Sequence, residues 1–339
     1  ITPKGNVPVY KENGFLAFIV SMGLFCGASF GLHLFSASIL YDNLGHLFGA
    51  LNLLSLIVCA FLYLKGRFYP SSTDAGITKN VIFDYYWGTE LYPIIAGWNI
   101  KHFITCRFGM MSWGLFLISY CAKQAELGQL ANSMLVSVIL QFLYLSKFYV
   151  WEKGYLRSLD IMHDRAGFYI CWGCMVWVPC VYTSPSMYLV LHPIHLSAAV
   201  ATLFLALGAL SIRINYLADK QRLVVRATQG ECNVWGKKPK TLLAEYYTTE
   251  GERKESLLLA SGWWGISRHF HYIPEILATF FWSAPALFSN FSPYFYVSFL
   301  TILLMDRAFR DDIRCAKKYG IYWDKYCEIV PYKIIPFVV

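Results

Sequence analysis

Charged residues are scarce in this 339-residue chain: Asp, Glu, Lys and Arg make up 15% of it, against 57% hydrophobic and 18% aromatic residues. A soluble domain needs about a quarter charged residues to coat its surface, so that class is excluded. The long apolar stretches also lack strict two-residue alternation, which argues against a membrane barrel. In hydrocarbon the backbone must bond to itself, so helices remain. No G-x-G-x-x-G follows a strand-like run, which removes a Rossmann dinucleotide site. Gly230 to Lys238, GECNVWGKK, has the wrong spacing for a phosphate loop and no Ser or Thr after the lysine, which removes a Walker site. Of the eight histidines only four are clustered, as His192/His195 and His269/His271. These are too few for a membrane di-iron centre, and no metal is expected. The ten cysteines lack the spacing of a secreted disulfide scaffold and are expected to be buried thiols. Cys171 and Cys174 read as packing inside an apolar helix rather than as half of a zinc or redox site.

What the chain has instead is a series of apolar runs: Gly14–Tyr41, His46–Leu64, Phe108–Cys121, Met134–Tyr149, Gly167–Tyr182, His195–Ile212, Glu275–Phe288 and Tyr294–Met305. Each is a span or half-span by length. The fold class is therefore all-α: a polytopic integral membrane protein with about 8–10 transmembrane helices. Residues 1–212 are expected to form the N-terminal helices and 213–339 a basic loop with C-terminal helices. Ile1–Gly14 is polar rather than a basic-then-apolar leader, so the natural N-terminus is expected upstream, where a further span would go unseen. The net charge of +8 falls in loops between spans, as positive-inside topology places it, and no nucleic-acid partner is expected.

Several polar features interrupt these runs. Phe83–Pro93, with Asp84 and Glu90, reads either as an interfacial aromatic belt or as a functional segment. Tyr144 lies deep in an apolar helix, where its hydroxyl needs a partner from a neighbouring helix or a substrate. His163, Asp164 and Arg165 at the mouth of an aromatic-rich helix are either a solvated cap or the rim of a pocket. Ile212–Lys254 is the longest hydrophilic stretch. Arg222 and Arg226, four apart, share one face of a helix continuing from the preceding span and are able to grip phosphate together, although positive-inside topology alone also explains a basic loop.

Two clusters, Arg268–Tyr272 and Asp306–Tyr319, bracket roughly thirty mostly apolar residues, enough for a hairpin that returns both to one membrane face. Fixed charge beside a membrane segment is costly unless it has a role. Arg307, Arg310, Asp311 and Arg314, spaced three and four apart, form a charged helical face that ends at Gly320.

The order LLxSGWWGxxRHxxY, then PYFY, then R-x-x-R-D-x-x-x-C-x-x-K-Y-G and a terminal PYxxxP resembles the sterol reductase family, which includes the Δ14-sterol reductases and the lamin B receptor. CRFGMMSW, HDRAGFYICWGC, YTSP and Phe270 after Arg-His most resemble the branch of that family acting on 7-dehydrocholesterol, particularly in plant-type forms. The resemblance covers nearly the whole chain.

It implies a C-terminal, cytosol-facing pocket for NADPH. Arg222 and Arg226 would hold the adenosine phosphates; Leu259, Trp264, His271, Tyr272, Asp311, Cys315, Ala316, Lys317, Lys318, Tyr319 and Tyr326 would line the rest. Arg222 and His271 stand where many relatives have Lys and Asn, Asp306 replaces a basic residue, and Ile94 or Ile95 replaces an arginine. Tyr144, Arg307 and Asp311 occupy positions that the resemblance links to proton delivery. An isolated alkene has no carbonyl to accept hydride, so a proton must arrive first or in concert. The implied substrate is 7-dehydrocholesterol or a related 5,7-diene sterol entering from the lipid bilayer. The implied setting is the endoplasmic reticulum membrane, or a bacterial inner membrane in a prokaryote, with other sterol-biosynthesis enzymes as partners. A Δ14 reductase, a catalytically silent sterol-binding scaffold and a membrane methyltransferase with its own Arg-His-x-x-Tyr element are the competing expectations.

Overall fold

The computed structural model describes residues 5–247 and 251–338. Five helices among them are long and apolar enough to cross a membrane: Gly14–Gly31, Leu44–Phe68, Asn132–Val150, Phe168–Leu191 and Ala198–Ala227. This count is lower than the eight to ten read from the sequence, for reasons of length and charge. Met110–Glu126 has 17 residues and Tyr272–Ser283 has 12. Phe295–Tyr319 has 25, but its C-terminal half carries the Asp306–Lys318 charges. The first run is also shorter than expected, since regular helix ends at Gly31 rather than reaching Tyr41.

Leu44–Phe68 shows how such a helix is built. Its 25 residues rise about 37 Å, enough for the roughly 30 Å hydrocarbon layer. Lys65 and Arg67 occupy its last turn, where cations favour the C-terminal dipole. Leu51, Cys59 and Leu62 pack inward with Ile104, Cys171, Met175 and Val176. Leu53, Leu54, Ile57, Phe61 and Leu64 face outward as an apolar surface suited to lipid. The ten cysteines are free thiols, none of them fully exposed, and Cys171 lies in this core.

The chain packs as two units: Ile1–Thr202 with Trp282–Phe295, and Leu203–Phe281 with Tyr296–Val339. In the first, the long helices meet a layer of buried polar contacts. Gly88 and Gly167 touch backbone to backbone there; a Cβ on Gly88, whose φ is +98°, would lie 2.5 Å from the Gly167 nitrogen. That contact ties the 83–93 segment to the start of the Phe168–Leu191 helix. In the second unit, Ala198–Ala227 runs on into the basic stretch as expected. That stretch then forms an antiparallel pair of strands, Thr241–Tyr247 and Arg253–Leu259, rather than a plain loop. Ala244 and Leu258 of the pair pack with Cys315, Tyr319, Trp323 and Tyr326.

Candidate active site

In the second unit the helix Ala198–Ala227 presents Arg222 and Arg226 one turn apart. Arg222 lies over the Trp264 ring, 4.0 Å from its centroid, and 3.5 Å from Asp219. The indole is fixed in turn, because Trp264 Nε1 donates to Ala218 O at 2.8 Å. Arg226 is exposed, and its Nε donates to Leu257 O at 3.3 Å. Gln221 Oε1 accepts from Trp263 N at 2.9 Å, holding the short Trp263–Ile266 helix against this face. A guanidinium stacked on a tryptophan, with a second guanidinium one turn away, suits a phosphorylated aromatic ligand.

The aromatic series continues along the next segment. Trp264 lies 4.9 Å from His271, His271 lies 4.3 Å from Tyr272, and Tyr272 stacks on His269 at 5.3 Å with 9° between planes. Asn215 Nδ2 donates to His271 O at 2.9 Å. The backbone here is clamped to the chain's end, since Arg268 N and His269 N donate to Tyr332 O and Lys333 O, both at 2.9 Å. Arg268 Nη1 adds bonds to Val330 O and Pro331 O, at 2.8 and 2.9 Å.

The two charged clusters do meet, as the hairpin reading requires. Arg268 Nη2 is 3.5 Å from Asp312, which also pairs with Lys333 at 3.1 Å. Arg307, Asp311, Cys315, Ala316, Lys317, Lys318 and Tyr319 share the single helix Phe295–Tyr319. Asp311 Oδ1 accepts from Arg314 Nη2 at 2.5 Å, and Asp306 accepts from Arg310 at 2.7 Å. Cys315 and Tyr319 turn inward while Ala316, Lys317 and Lys318 stay exposed. Burial and the nearby Asp311 charge push the Cys315 thiol up to about 12, so it remains protonated. Burial likewise lifts the Tyr326 phenol to about 12, and its hydroxyl donates to Leu259 O at 2.8 Å.

Tyr144 belongs to the first unit. Its ring lies 5.7 Å from Trp113 and 5.3 Å from Trp282, with Lys147 Nζ 4.9 Å from its centroid. Trp113 is oriented by Gln141 Oε1 at 2.8 Å, and Gln141 Nε2 donates to Ser186 Oγ at 2.7 Å. This buried polar series specifies the wall of the aromatic cage around the half-buried phenol.

The Phe83–Pro93 acids are structural ties. Asp84 accepts from Thr78 N at 3.0 Å; Glu90 accepts from Lys65 at 2.8 Å and Ser71 N at 2.5 Å. Arg165 Nη1 donates to Gly76 O at 2.5 Å.

Three features escaped sequence reasoning. Lys101, fully buried, donates to the carbonyls of Asp160, Ile161 and Asp164 at 3.1, 2.8 and 2.8 Å. His102, Cys106 and Glu152 are the His/Cys/Glu group among the described residues whose ligand atoms lie within 4.8 Å of one another. Glu152 is already engaged there by Arg107 at 2.5 Å, His102 at 3.2 Å and Gly14 N at 2.9 Å, so the group is an ion-pair knot rather than a vacant metal nest. No local motif marks it, because Glu152 comes from a segment about fifty residues after His102 and Cys106. His269 is the third, and the RHxxY motif contains it without distinguishing its role.

The profile of the Ergosterol biosynthesis ERG4/ERG24 family matches residues 4–339. The chain belongs to that family. It is 56% identical over 339 residues to a protein of Arabidopsis thaliana named 7-dehydrocholesterol reductase, covering 99% of this chain and 78% of the relative. A Xenopus laevis protein of the same name is 38% identical over 338 residues, covering 99% and 72%. A Delta(14)-sterol reductase of Methylotuvimicrobium alcaliphilum is 35% identical over 338 residues, covering 98% and 76%. As a member of this family the chain is a multi-pass membrane oxidoreductase, which agrees with its five spanning helices.

Proposed function

We propose that this protein is an NADPH-dependent Δ7-sterol reductase that saturates the C7=C8 bond of 7-dehydrocholesterol or a related 5,7-diene sterol, in the endoplasmic reticulum membrane. The 56% identity along 99% of the chain to a relative of that name carries the reading.

The donor set in the second unit fits a phosphorylated nicotinamide dinucleotide. Arg222 and Arg226 offer guanidinium groups of which one is already stacked and the other exposed. His269 has a buried ring nitrogen, Nε2, without a hydrogen-bond partner among the described residues. Arg222 and Arg226 would hold the adenosine phosphates, and Leu259, Trp264, His271, Tyr272, Asp311, Tyr326 and Cys315 to Tyr319 the remainder. When bound, this group supplies a hydride.

The chain must supply what hydride alone lacks, a proton at one carbon of an alkene without a carbonyl. Tyr144 is the donor in this reading. A phenol is neutral at working pH, and the Trp113 and Trp282 rings exclude water from one side of it. Arg307 and Asp311 are assigned in this reading to the supply of protons from solvent. Net addition is one hydride and one proton across one double bond. Apolar walls discriminate sterols by only about 1–3 kcal/mol per methylene-sized difference, so bond choice rests on where the proton is delivered.

The test is single-turnover reduction with product analysis on a 5,7-diene and an 8,14-diene sterol. The wild type is expected to saturate the Δ7 bond, and Tyr144→Phe to bind NADPH but lose turnover by at least about a hundredfold. Saturation of the Δ14 bond alone would instead assign the chain to the reaction named for its 35%-identical relative. Full turnover by Tyr144→Phe would remove Tyr144 from the proton path.

A further inference from the structure

His269 is surrounded by residues attributed to the cofactor, yet is not itself among them. Its ring is stacked parallel on Tyr272 and lies 6.2 Å from His271. Arg222 and Asp311 act on it electrostatically, as do Arg268 and Asp312. The residue is 5% exposed, and Nε2 has no hydrogen-bond partner among the described residues. The same holds for Ser267 Oγ and Arg268 Nε, so three successive buried side chains each carry an unsatisfied polar atom. Buried polar atoms are rarely left unpaired, because desolvation without a partner is costly. The backbone bonds of Arg268 and His269 to residues 332 and 333 fix the segment, so it does not turn to find protein partners. A ligand or an enclosed water must complete it.

The charge state narrows the ligand chemistry. Burial, reinforced by the Arg222 and Arg268 charges and only partly opposed by Asp311, lowers the His269 imidazole to about 4. The ring is therefore neutral at working pH and matches a neutral polar group. A phosphate would favour the imidazolium, and Arg222 and Arg226 already offer fixed cations for it. The neutral amide of a nicotinamide dinucleotide is the ring carboxamide, which both donates and accepts. It is attached to a flat ring suited to the same aromatic wall that Tyr272 and His271 form.

We infer that His269 is a cofactor-binding residue whose Nε2 hydrogen-bonds the carboxamide of the nicotinamide ring, an inference that rests on the nicotinamide-cofactor reading above. The contact fixes which face of that ring is turned to the sterol.

The experiment compares binding of NADPH with that of 2′-phospho-ADP-ribose, which keeps the phosphates, riboses and adenine and lacks only nicotinamide. Dissociation constants are measured by calorimetry on detergent-purified full chain. His269→Phe keeps a ring against Tyr272 and removes the nitrogen; His269→Gln keeps a neutral donor and acceptor. Expected is an about tenfold weaker Kd for NADPH in His269→Phe, substantial recovery in His269→Gln, and unchanged fragment binding in both. Equal weakening of NADPH and fragment overturns the assignment, as does no change in either. Loss of fragment binding in both variants also overturns it, because His269 then serves the fold rather than the ligand. A wild-type chain that binds neither compound points instead to failure of the cofactor reading.

Discussion

Replacing Glu152 with Gln tests whether the ion-pair knot in the first unit holds its helices together. The carboxylate side chain is 4% exposed and the Arg107 side chain 14%, with 2.5 Å between Nη1 and Oε1. The same carboxylate accepts from His102 at 3.2 Å and from Gly14 N at 2.9 Å, so it joins the first helix to the segments around residues 102–107 and 152. Gln keeps an acceptor for Gly14 but leaves the Arg107 charge without its carboxylate. One-sided removal of a buried pair costs about 3–5 kcal/mol. Arg107→Gln has the converse effect, and the double variant is expected to be less damaged than the sum of the singles by about 2 kcal/mol. The assay is SDS-induced unfolding of purified protein, read as a free-energy cycle. Acid titration adds a check with a definite sign. Burial would raise the Glu152 carboxyl, but the His102 and Arg107 hydrogen bonds outweigh it and hold the group below its ordinary value. Its contribution is therefore full above the ordinary carboxylate range and lost as pH falls through the lowered value, a loss that Glu152→Gln should not show. Single variants within about 0.5 kcal/mol of wild type, or strictly additive effects, would refute the reasoning.

Gly167→Ala should destabilise the first unit by at least about 2 kcal/mol, because its Cβ would overlap Gly88 N and Trp87 C, which are backbone atoms unable to swing away. The recovered folded fraction on size exclusion is the readout. Arg222→Ala with Arg226→Ala should weaken NADPH at least about a hundredfold, and more at low than at high salt, since each guanidinium–phosphate contact is worth about 1.5–3 kcal/mol. Calorimetry at two ionic strengths checks this.

Apolar run length exposed most of the helical architecture because a lipid-facing helix has no polar face to blur it. Leu44–Phe68 and Asn132–Val150 follow directly from such runs. The spacing of Arg222 and Arg226 and the run from Arg307 to Tyr319 were legible for a related reason, since three- and four-residue spacings survive on any helix. The strands Thr241–Tyr247 and Arg253–Leu259 were hidden by the surrounding lysines. Leu242, Leu243, Tyr246 and Tyr247 before Gly251 and Leu257–Leu259 after it were their signal. Tertiary partners were not legible. Glu90 and Glu152 look alike in sequence, yet the first anchors a neighbouring loop through Lys65 and Ser71, whereas the second reaches Gly14, 138 residues away. Lys101 is fully buried among carbonyls, which no sequence pattern signals, because three backbone acceptors around one ammonium come together only after the chain folds.

The most direct test of the central claim is to mix the purified full chain with NADPH and 7-dehydrocholesterol and follow the ultraviolet absorbance of the conjugated diene. The account predicts its decay with one NADPH oxidised per diene lost and a Δ5 sterol as product. Undiminished diene absorbance while NADPH binds normally would contradict it.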